Sequence, residues 1–513
     1  MKQMIKELII QKKYIFFTGI LSILLMLPQL VLAYDLKHFA VMMFTLFLLF
    51  LFSIVNKILF FILGIYLSIV NIIIMHVALH WGYAYADLAP RFTVVMESPR
   101  SETVGYLTTF LDYQDAINIA YAFFIFYLLY RFISKYPNKL QKIKISSFIL
   151  LIVMVATSFP YIEQREPYNI IPKLISISKG NTYVTQRKAF LKSHMNHTIK
   201  SIPLQYDKII FILGESVNKH HMGIYGYKVG TTPFFSEMKK KNELYIFNTI
   251  SPSNLTRISV PIYMTQARVN YFYNVFIHSS SFIIDYGLSG YKTVWLSAQG
   301  RVGHRNNLIA ACADDANQSV FINNFYNTWA KRDIEIVNYL KKNIVSSPKQ
   351  MYLLHLTGSH AKYRNRYEKN IAFYHHPKNI IEEYDNTIYY TDYVIGKIFE
   401  TLVKQDKKVL VIYVSDHGEI VELSKNGHGF SSPHKDEYDV PFVIYSTIHN
   451  ERLDYLKEQN KKHYFNLENM YSMVQYISGA SDELNLSRGS KVIAVDPKYI
   501  FDYDKLDYFD SKE

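Results

Sequence analysis

The sequence predicts a two-part molecule: a module of five membrane-spanning helices, then an exported α/β domain built on a doubly wound central sheet. Three observations predict it. Long apolar runs crowd the first third of the 513 residues and give way to ordinary globular composition afterwards. Basic residues collect on one side of those runs. From Tyr206 onward, short β-rich runs alternate with helical segments.

A span needs ~20 mostly apolar residues. Five stretches qualify, at 14–33, 39–55, 58–79, 116–134 and 145–162, so that 1–162 forms the membrane module. The first follows Lys2, Lys6, Lys12 and Lys13, as a signal peptide would. It lacks a small-residue cleavage site and runs straight into further spans, so it reads as an anchor. Lys and Arg favour the cytoplasmic side. The amino terminus is basic, and the loop between spans four and five carries Arg131, Lys135, Lys139, Lys142 and Lys144 with no acid. Both therefore belong in the cytoplasm, and everything after residue 162 lies outside. The segment 80–115 is long for a connector, a length often associated with function. The basic bridge 163–205 suits an interfacial position along lipid headgroups, or a plain linker. His76 and Asn118 are polar groups inside spans and are expected to pair within the bundle.

A formal charge of +13 invites a nucleic-acid reading, but much of the excess sits beside apolar spans, where it sets topology. Nucleic acid is therefore not an expected partner. Cys312 is the single cysteine, which excludes an intramolecular disulfide and leaves an exported domain to rely on its core.

In the domain 206–513, strands are expected at 208–213, 293–296, 351–356, 408–414 and 441–445. Strands separated by helices argue for a largely parallel sheet, whose chemistry gathers past the carboxyl ends of the strands. After the first run comes Gly214-Glu215-Ser216; after the third, Thr357-Gly358-Ser359-His360; after the fourth, Ser415-Asp416-His417-Gly418-Glu419, with Gly427-His428-Gly429 beyond. Glu215, Asp416 and His417 are the mixed oxygen and nitrogen donors that suit zinc, and three protein ligands leave a fourth position for an oxygen nucleophile. The segment 248–265, NTISPSNLTRISVPIYMT, offers hydroxyls ahead of a helical start. One of them can sit where backbone donors hold a phosphate, or Ser253 or Thr256 can simply cap the helix. Paired histidines at 220–221 and 375–376 fit surface or supporting positions better than ligand positions.

Taken in order, GES at 214–216, NLTRISVP at 254–261, TGSH at 357–360, SDHGE at 415–419 and GHG at 427–429 resemble the phosphoethanolamine transferases of the alkaline phosphatase and sulfatase superfamily. The likeness, with five spans in front, covers nearly the whole chain. It implies a domain of alkaline phosphatase/sulfatase type and a multi-pass protein of the bacterial inner membrane, amino terminus cytoplasmic and catalytic domain periplasmic. Thr256 falls on the family's threonine nucleophile, in register with Ser259 and Pro261. Glu215, Asp416 and His417 fall on its zinc ligands, with Thr256 the fourth. His360 and His428 match histidines that contact the transferred phosphate or a second zinc. Ser98 and Glu102 fit a Thr/Ser-x-x-x-Glu pattern of lipid-donor binding. The implied reaction moves phosphoethanolamine from phosphatidylethanolamine in the membrane, through a covalent intermediate on Thr256, to a glycolipid or sugar acceptor, by a protein expected to be a monomer.

The lipid A branch of that family brackets its nucleophile with cysteines, where this chain has Pro252 and Ile262. WLSAQ at 295–299, with Gly303 and 310–313 after it, is more similar to the branch that modifies sugars of the lipopolysaccharide core or periplasmic glucan. A lipoteichoic-acid-type glycerophosphotransferase is the alternative enzyme, and a non-catalytic membrane scaffold the alternative outside enzymes. No Cys/Ser-x-Pro-x-Arg segment exists to become formylglycine, which speaks against sulfatase activity.

Overall fold

A computed structural model describes residues 16–17, 19–27, 42–49, 57–81, 113–135, 181–194 and 204–510, the last with short gaps at 302–307, 324–331, 346, 405–407, 431 and 487–488. The chain divides into two compact units.

The first unit contains helices α1 (Lys57–Trp81) and α2 (Tyr113–Lys135). The spans expected at 58–79 and 116–134 fall on them; those at 14–33 and 39–55 are described in part, and 145–162 lies outside the described residues. Leu25, Met26, Met42, Phe60, Leu67 and Ile125 form one apolar cluster. Asn71 Nδ2 donates to the Leu25 carbonyl (2.7 Å) and the Tyr121 hydroxyl to that of Leu24 (2.8 Å), giving polar side chains backbone acceptors inside an apolar bundle. Asn118 does not show this pattern: its buried Nδ2 has no hydrogen-bond partner among the described residues. Outward-facing side chains include Phe16, Ile62, Ile69, Phe123 and Phe124. Among the described residues no helix is long and apolar enough to cross a membrane.

The second unit is built on an eight-stranded sheet of order β10-β2-β9-β6-β1-β5-β3-β4. Its strands are β1 (Lys208–Gly214), β2 (Leu244–Ile250), β3 (Lys292–Gly300), β4 (Gln318–Asn323), β5 (Gln350–His355), β6 (Val409–Ser415), β9 (Asp439–Ser446) and β10 (Phe465–Asn466). The two-residue strands β7 (Ile420–Val421) and β8 (Asn426–Gly427) form a hairpin of their own. β1, at the centre, is buried along its whole length, because it is apolar on both faces. Ile209, Phe211 and Leu213 enter one core layer; Ile210 and Ile212 enter the other. At roughly 1.5–3 kcal/mol for each fully buried aliphatic or aromatic side chain, this strand is a rigid mount for whatever follows it.

Five contiguous strands, β6-β1-β5-β3-β4, run parallel, as expected. β9 does not: it pairs antiparallel with both β6 and β2, so the sheet is mixed. The cause is local. A parallel return needs a crossover to the opposite end of the sheet. The chain from β6 instead wanders through a loop at the carboxyl edge, and β9 re-enters from that same edge. Strands β2 and β4 were not among the expected runs.

One core layer is closed by α4 (Thr256–Met264), the other by α5 (Ile334–Lys342) and α6 (Ile380–Leu402), whose Ile388, Val394, Ile395 and Ile398 face the sheet. Within the 163–205 bridge lies helix α3 (Asn181–His194), which belongs to this unit. Its Arg187 is buried and makes a two-pronged pair with Asp315, at 2.9 and 2.7 Å, so α3 is docked on the domain. Cys312 lies buried and unbonded to sulfur one turn before that aspartate.

Candidate active site

Three segments meet at the carboxyl edge of the parallel strands. Glu215 follows β1, Asp416 and His417 follow β6, and Thr256 opens α4. All three acidic or imidazole side chains are buried to within about 1 % exposure. Their ligand atoms lie within 4.8 Å of one another, the one such group of three among the described residues.

Each side chain is held so that one atom stays directed inward. Asp416 Oδ1 accepts from the backbone N–H groups of His417 (2.8 Å) and Ser216 (3.1 Å), while the buried Oδ2 makes no hydrogen bond among the described residues and faces His417 Nε2. His417 Nδ1 donates to the Gly418 carbonyl (2.8 Å), which commits that nitrogen and turns Nε2 towards the carboxylates, 3.3 Å from each. Glu215 Oε1 accepts from Ser216 Oγ (3.1 Å), and Oε2 from Gln299 Nε2 (3.0 Å). Orphaned buried oxygen is costly unless something completes it. Two carboxylates and an imidazole at this spacing form a donor set for a divalent cation of zinc type, and the backbone bonds behind them orient the ligands as supporting contacts do in metal sites.

Without a cation the cluster shares protons. Burial would raise Glu215, but hydrogen bonding and charge from His417 hold it well below the usual carboxylate range. Burial and the neighbouring Glu215 charge push Asp416 up to about 7. His417, against the effect of burial, is carried to about 10 by Asp416 and Glu215. A cation takes the place of those protons.

Thr256 Oγ1 sits 3.2 and 3.3 Å from the two Glu215 oxygens and 3.2 Å from His417 Nε2. The capping alternative fails on this observation. Leu255 holds the capping position and makes no side-chain cap bond, so neither Ser253 nor Thr256 caps α4.

His360 and His428 come to the same place. The His428 ring centroid is 4.0 Å from that of His417 and 5.5 Å from that of His360. Burial lowers His360 to about 4, so it is neutral near pH 7. Arg366 Nε donates to the His360 carbonyl (2.9 Å) and buttresses its turn. The Gly358 turn that carries it is cramped: φ is +50°, and a Cβ there would fall 2.6 Å from the Glu215 carbonyl oxygen. Gly358 N–H donates to Asp333 Oδ2 (2.9 Å), a carboxylate that also holds Thr357 through its N–H and hydroxyl.

Two neighbours escaped sequence reasoning. Glu419, buried, faces His428 Nδ1 at 3.2 Å through Oε2 and accepts from the Tyr363 hydroxyl at 2.6 Å through Oε1. Gln299, at the end of β3, donates to Glu215 Oε2 and to the Leu356 carbonyl (2.9 Å). Both stand inside quoted segments, SDHGE and WLSAQ, and the strand-end rule reaches Gln299 as well as Glu215. Ser98 and Glu102 lie outside the described residues. His220 and His221 turn to Asp439 (2.7 Å) and Asp385 (2.9 Å), away from the cluster, and His375 and His376 are exposed, as their plain readings anticipated.

A family model described as Sulfatase matches residues 207–479, more than half of the chain. The chain belongs to the sulfatase family. Sulfatase-family membership fits the sheet, with its site at the carboxyl edge. The chain is also similar to phosphoethanolamine transferase EptA of Helicobacter pylori (strain ATCC 700392 / 26695), 29 % identical over 280 residues. That match covers 48 % of this chain and 50 % of the relative, about half the length of each. Two solved structures share the fold. One is the integral membrane protein lipooligosaccharide phosphoethanolamine transferase A (EptA) from Neisseria meningitidis, with a TM-score of 0.55, 14 % identity, and 91 % of this chain and 94 % of that chain covered. The other is the C-terminal periplasmic domain of EcEptC from Escherichia coli in complex with Zn, with a TM-score of 0.51, 20 % identity, and 59 % and 94 % covered. The family resemblance carried by the five motifs agrees with these likenesses.

Proposed function

We propose that this sulfatase-family protein is a zinc-dependent phosphoethanolamine transferase that acts from the bacterial inner membrane on an envelope glycolipid. The observation that carries the reading is the hydroxyl of Thr256 placed within 3.3 Å of both Glu215 oxygens and of His417 Nε2, beside an Asp416 Oδ2 that makes no hydrogen bond among the described residues. Glu215, Asp416, His417 and Thr256 would hold the zinc. When bound, the metal lowers the pKa of a coordinated hydroxyl and offsets charge on phosphoryl oxygens.

The chain's own groups do the rest. Thr256 Oγ attacks the phosphorus of phosphatidylethanolamine; the bond from phosphorus to the diacylglycerol oxygen breaks, and diacylglycerol leaves with a proton. His360, neutral near pH 7, and His428, backed by Glu419, face the phosphoryl group and serve proton transfer and charge stabilisation. In the second half the hydroxyl of a lipopolysaccharide core sugar or of lipid A attacks the phosphoethanolamine on Thr256, which recovers its hydroxyl. Ser98 and Glu102, in the 80–115 loop, are proposed to receive the donor, Glu102 through the ethanolamine ammonium. A donor that resides in the bilayer explains a membrane module of five spans, with the amino terminus cytoplasmic and the domain periplasmic. The exposed aromatic and aliphatic side chains of the first unit support that placement.

The test is intact-protein and peptide mass spectrometry of the purified chain incubated with phosphatidylethanolamine and no acceptor. A phosphoethanolamine adduct is expected on the peptide containing Thr256 and absent from Thr256→Ala, with partial activity in Thr256→Ser, which keeps the oxygen. An adduct on another hydroxyl, or turnover by Thr256→Ala, overturns the assignment.

A further inference from the structure

The loop that carries Thr256 and the loop that carries His428 come from distant parts of the chain. One follows β2, the other β6. The proposed chemistry needs both at the same phosphorus. A single buried side chain ties them. Asn254 is fully buried, two residues before Thr256. Its Nδ2 donates to the Phe430 carbonyl (3.0 Å), two residues past His428, and to Glu437 Oε1 (2.9 Å), at the end of the same loop. Its Oδ1 accepts from the Val495 N–H (3.0 Å). Both amide donors and the carbonyl oxygen are engaged, which fixes both its flip and its position.

The Val495 end of this arrangement lies beyond the region that matches the sulfatase family, which closes at residue 479. It is nevertheless bound tightly to the Thr256 loop. Ile493 N–H donates to the Pro252 carbonyl (2.8 Å), Asn254 N–H to the Ile493 carbonyl (3.3 Å), and Arg257 Nη2 to the Val495 carbonyl (2.9 Å). Val495 adopts φ +65°, a region costly for a β-branched residue, and its flanking bonds hold it there. The chain then passes under the His428 loop. Strand β11 (Lys491–Ile493) pairs with β12 (Ile500–Asp502), Tyr503 and Tyr508 donate to Asp439 (2.8 and 2.7 Å), and Phe509 N–H donates to Asp436 Oδ2 (2.9 Å).

We propose that Asn254 is a positioning residue that pins the Thr256 loop to the His428 loop, with the 493–509 strap as the third anchor. It does not touch the reacting atoms. It sets the distance between the nucleophile and the histidine that must meet it across a phosphoryl group. This rests on the transferase reading above, and the test separates the two.

Asn254→Asp keeps shape and the bond from Val495 but loses both donors and sets a carboxylate against Glu437. Turnover of phosphatidylethanolamine is expected to fall roughly 10- to 100-fold, the scale of an ångström of misplacement, with donor KM within about twofold and zinc content unchanged. Hydrogen exchange is expected to quicken in the peptide spanning 424–434, far along the chain from the substitution. Arg187→Ala, which loosens helix α3 and touches neither loop nor the strap, is expected to lower the melting temperature and leave kcat in place. Should Asn254→Asp fail to fold, Asn254→Ser removes the donors without added charge, and the exchange comparison is made on it. Exchange changes confined to 251–257, or an unchanged kcat alongside active wild type, overturn the pin. If the wild type transfers nothing, the transferase reading falls, and exchange at 424–434 alone decides whether Asn254 couples the loops.

Discussion

Gly358→Ala offers a test of how tightly the proposed metal ligands are built into the fold. The residue has φ +50°, where an alanine costs about 1–2 kcal/mol. Its new Cβ would also lie 2.6 Å from the Glu215 carbonyl oxygen and 2.9 Å from the Glu215 nitrogen, both backbone atoms that no rotamer change can move. Overpacking of this kind adds about 1–3 kcal/mol. The total, about 2–5 kcal/mol, corresponds to a melting-temperature loss of roughly 4–20 °C for a domain of this size. Because the collision falls on Glu215 itself, zinc affinity is expected to drop about 10- to 100-fold along with stability. Gly226→Ala supplies the control: φ is +100°, but nothing lies within 4 Å of the added carbon, so only the conformational cost applies. Thermal melts with and without zinc, and competition against a chromophoric chelator, read both quantities. If Gly358→Ala melts like Gly226→Ala and binds zinc like the wild type, the loop after β5 does not brace Glu215.

Gln299→Leu removes the donor to Glu215 Oε2 with little change in volume; zinc affinity is expected to fall about 10- to 100-fold with the fold intact, and an unchanged chelator titration would count against that support. Arg187→Ala leaves the buried Asp315 uncompensated and is expected to cost about 3–5 kcal/mol in urea unfolding, whereas a double change that removes both charges costs much less; equal losses would refute the ion-pair argument. Zinc uptake by metal-free protein is expected to strengthen with pH. Coordination by the proposed ligands would need a neutral His417, raised to about 10, and an ionised Asp416, raised to about 7. Binding therefore releases about one proton at pH 8 and a second below pH 7, an affinity gain of about tenfold per pH unit for each proton. Calorimetry in buffers of different ionisation enthalpy counts those protons, and none released would sink the shared-proton picture.

Much of the domain was legible because its central strands are apolar on both faces. β1, β5 and β6 lie within a residue of where the runs of Ile, Leu and Val put them, and the residues that follow them line the cluster. β2 and β4 were not legible. Most of their residues are only half-buried, and Asn248 interrupts one run while Gln318 and Ser319 open the other, so neither stands out from a loop. The direction of β9 had no local signal at all, since it depends on the route taken by 416–438 at the sheet edge. The same limit governs the site. A strand-end carboxylate announces itself in sequence, whereas Gln299, Glu419 and Asn254 matter only through what distant loops bring beside them.

Cys312 gives the domain an unusual independence. Its thiol is packed in the core, where burial pushes it far above the ordinary range, so it neither ionises nor meets an oxidant. Maturation of this domain thus asks nothing of a disulfide-forming machinery, and no mispaired bridge can trap it. Reducing agents can be used freely in handling it, provided they do not compete for the metal. For a chain with one cysteine in 513 residues, redox conditions drop out of the folding problem.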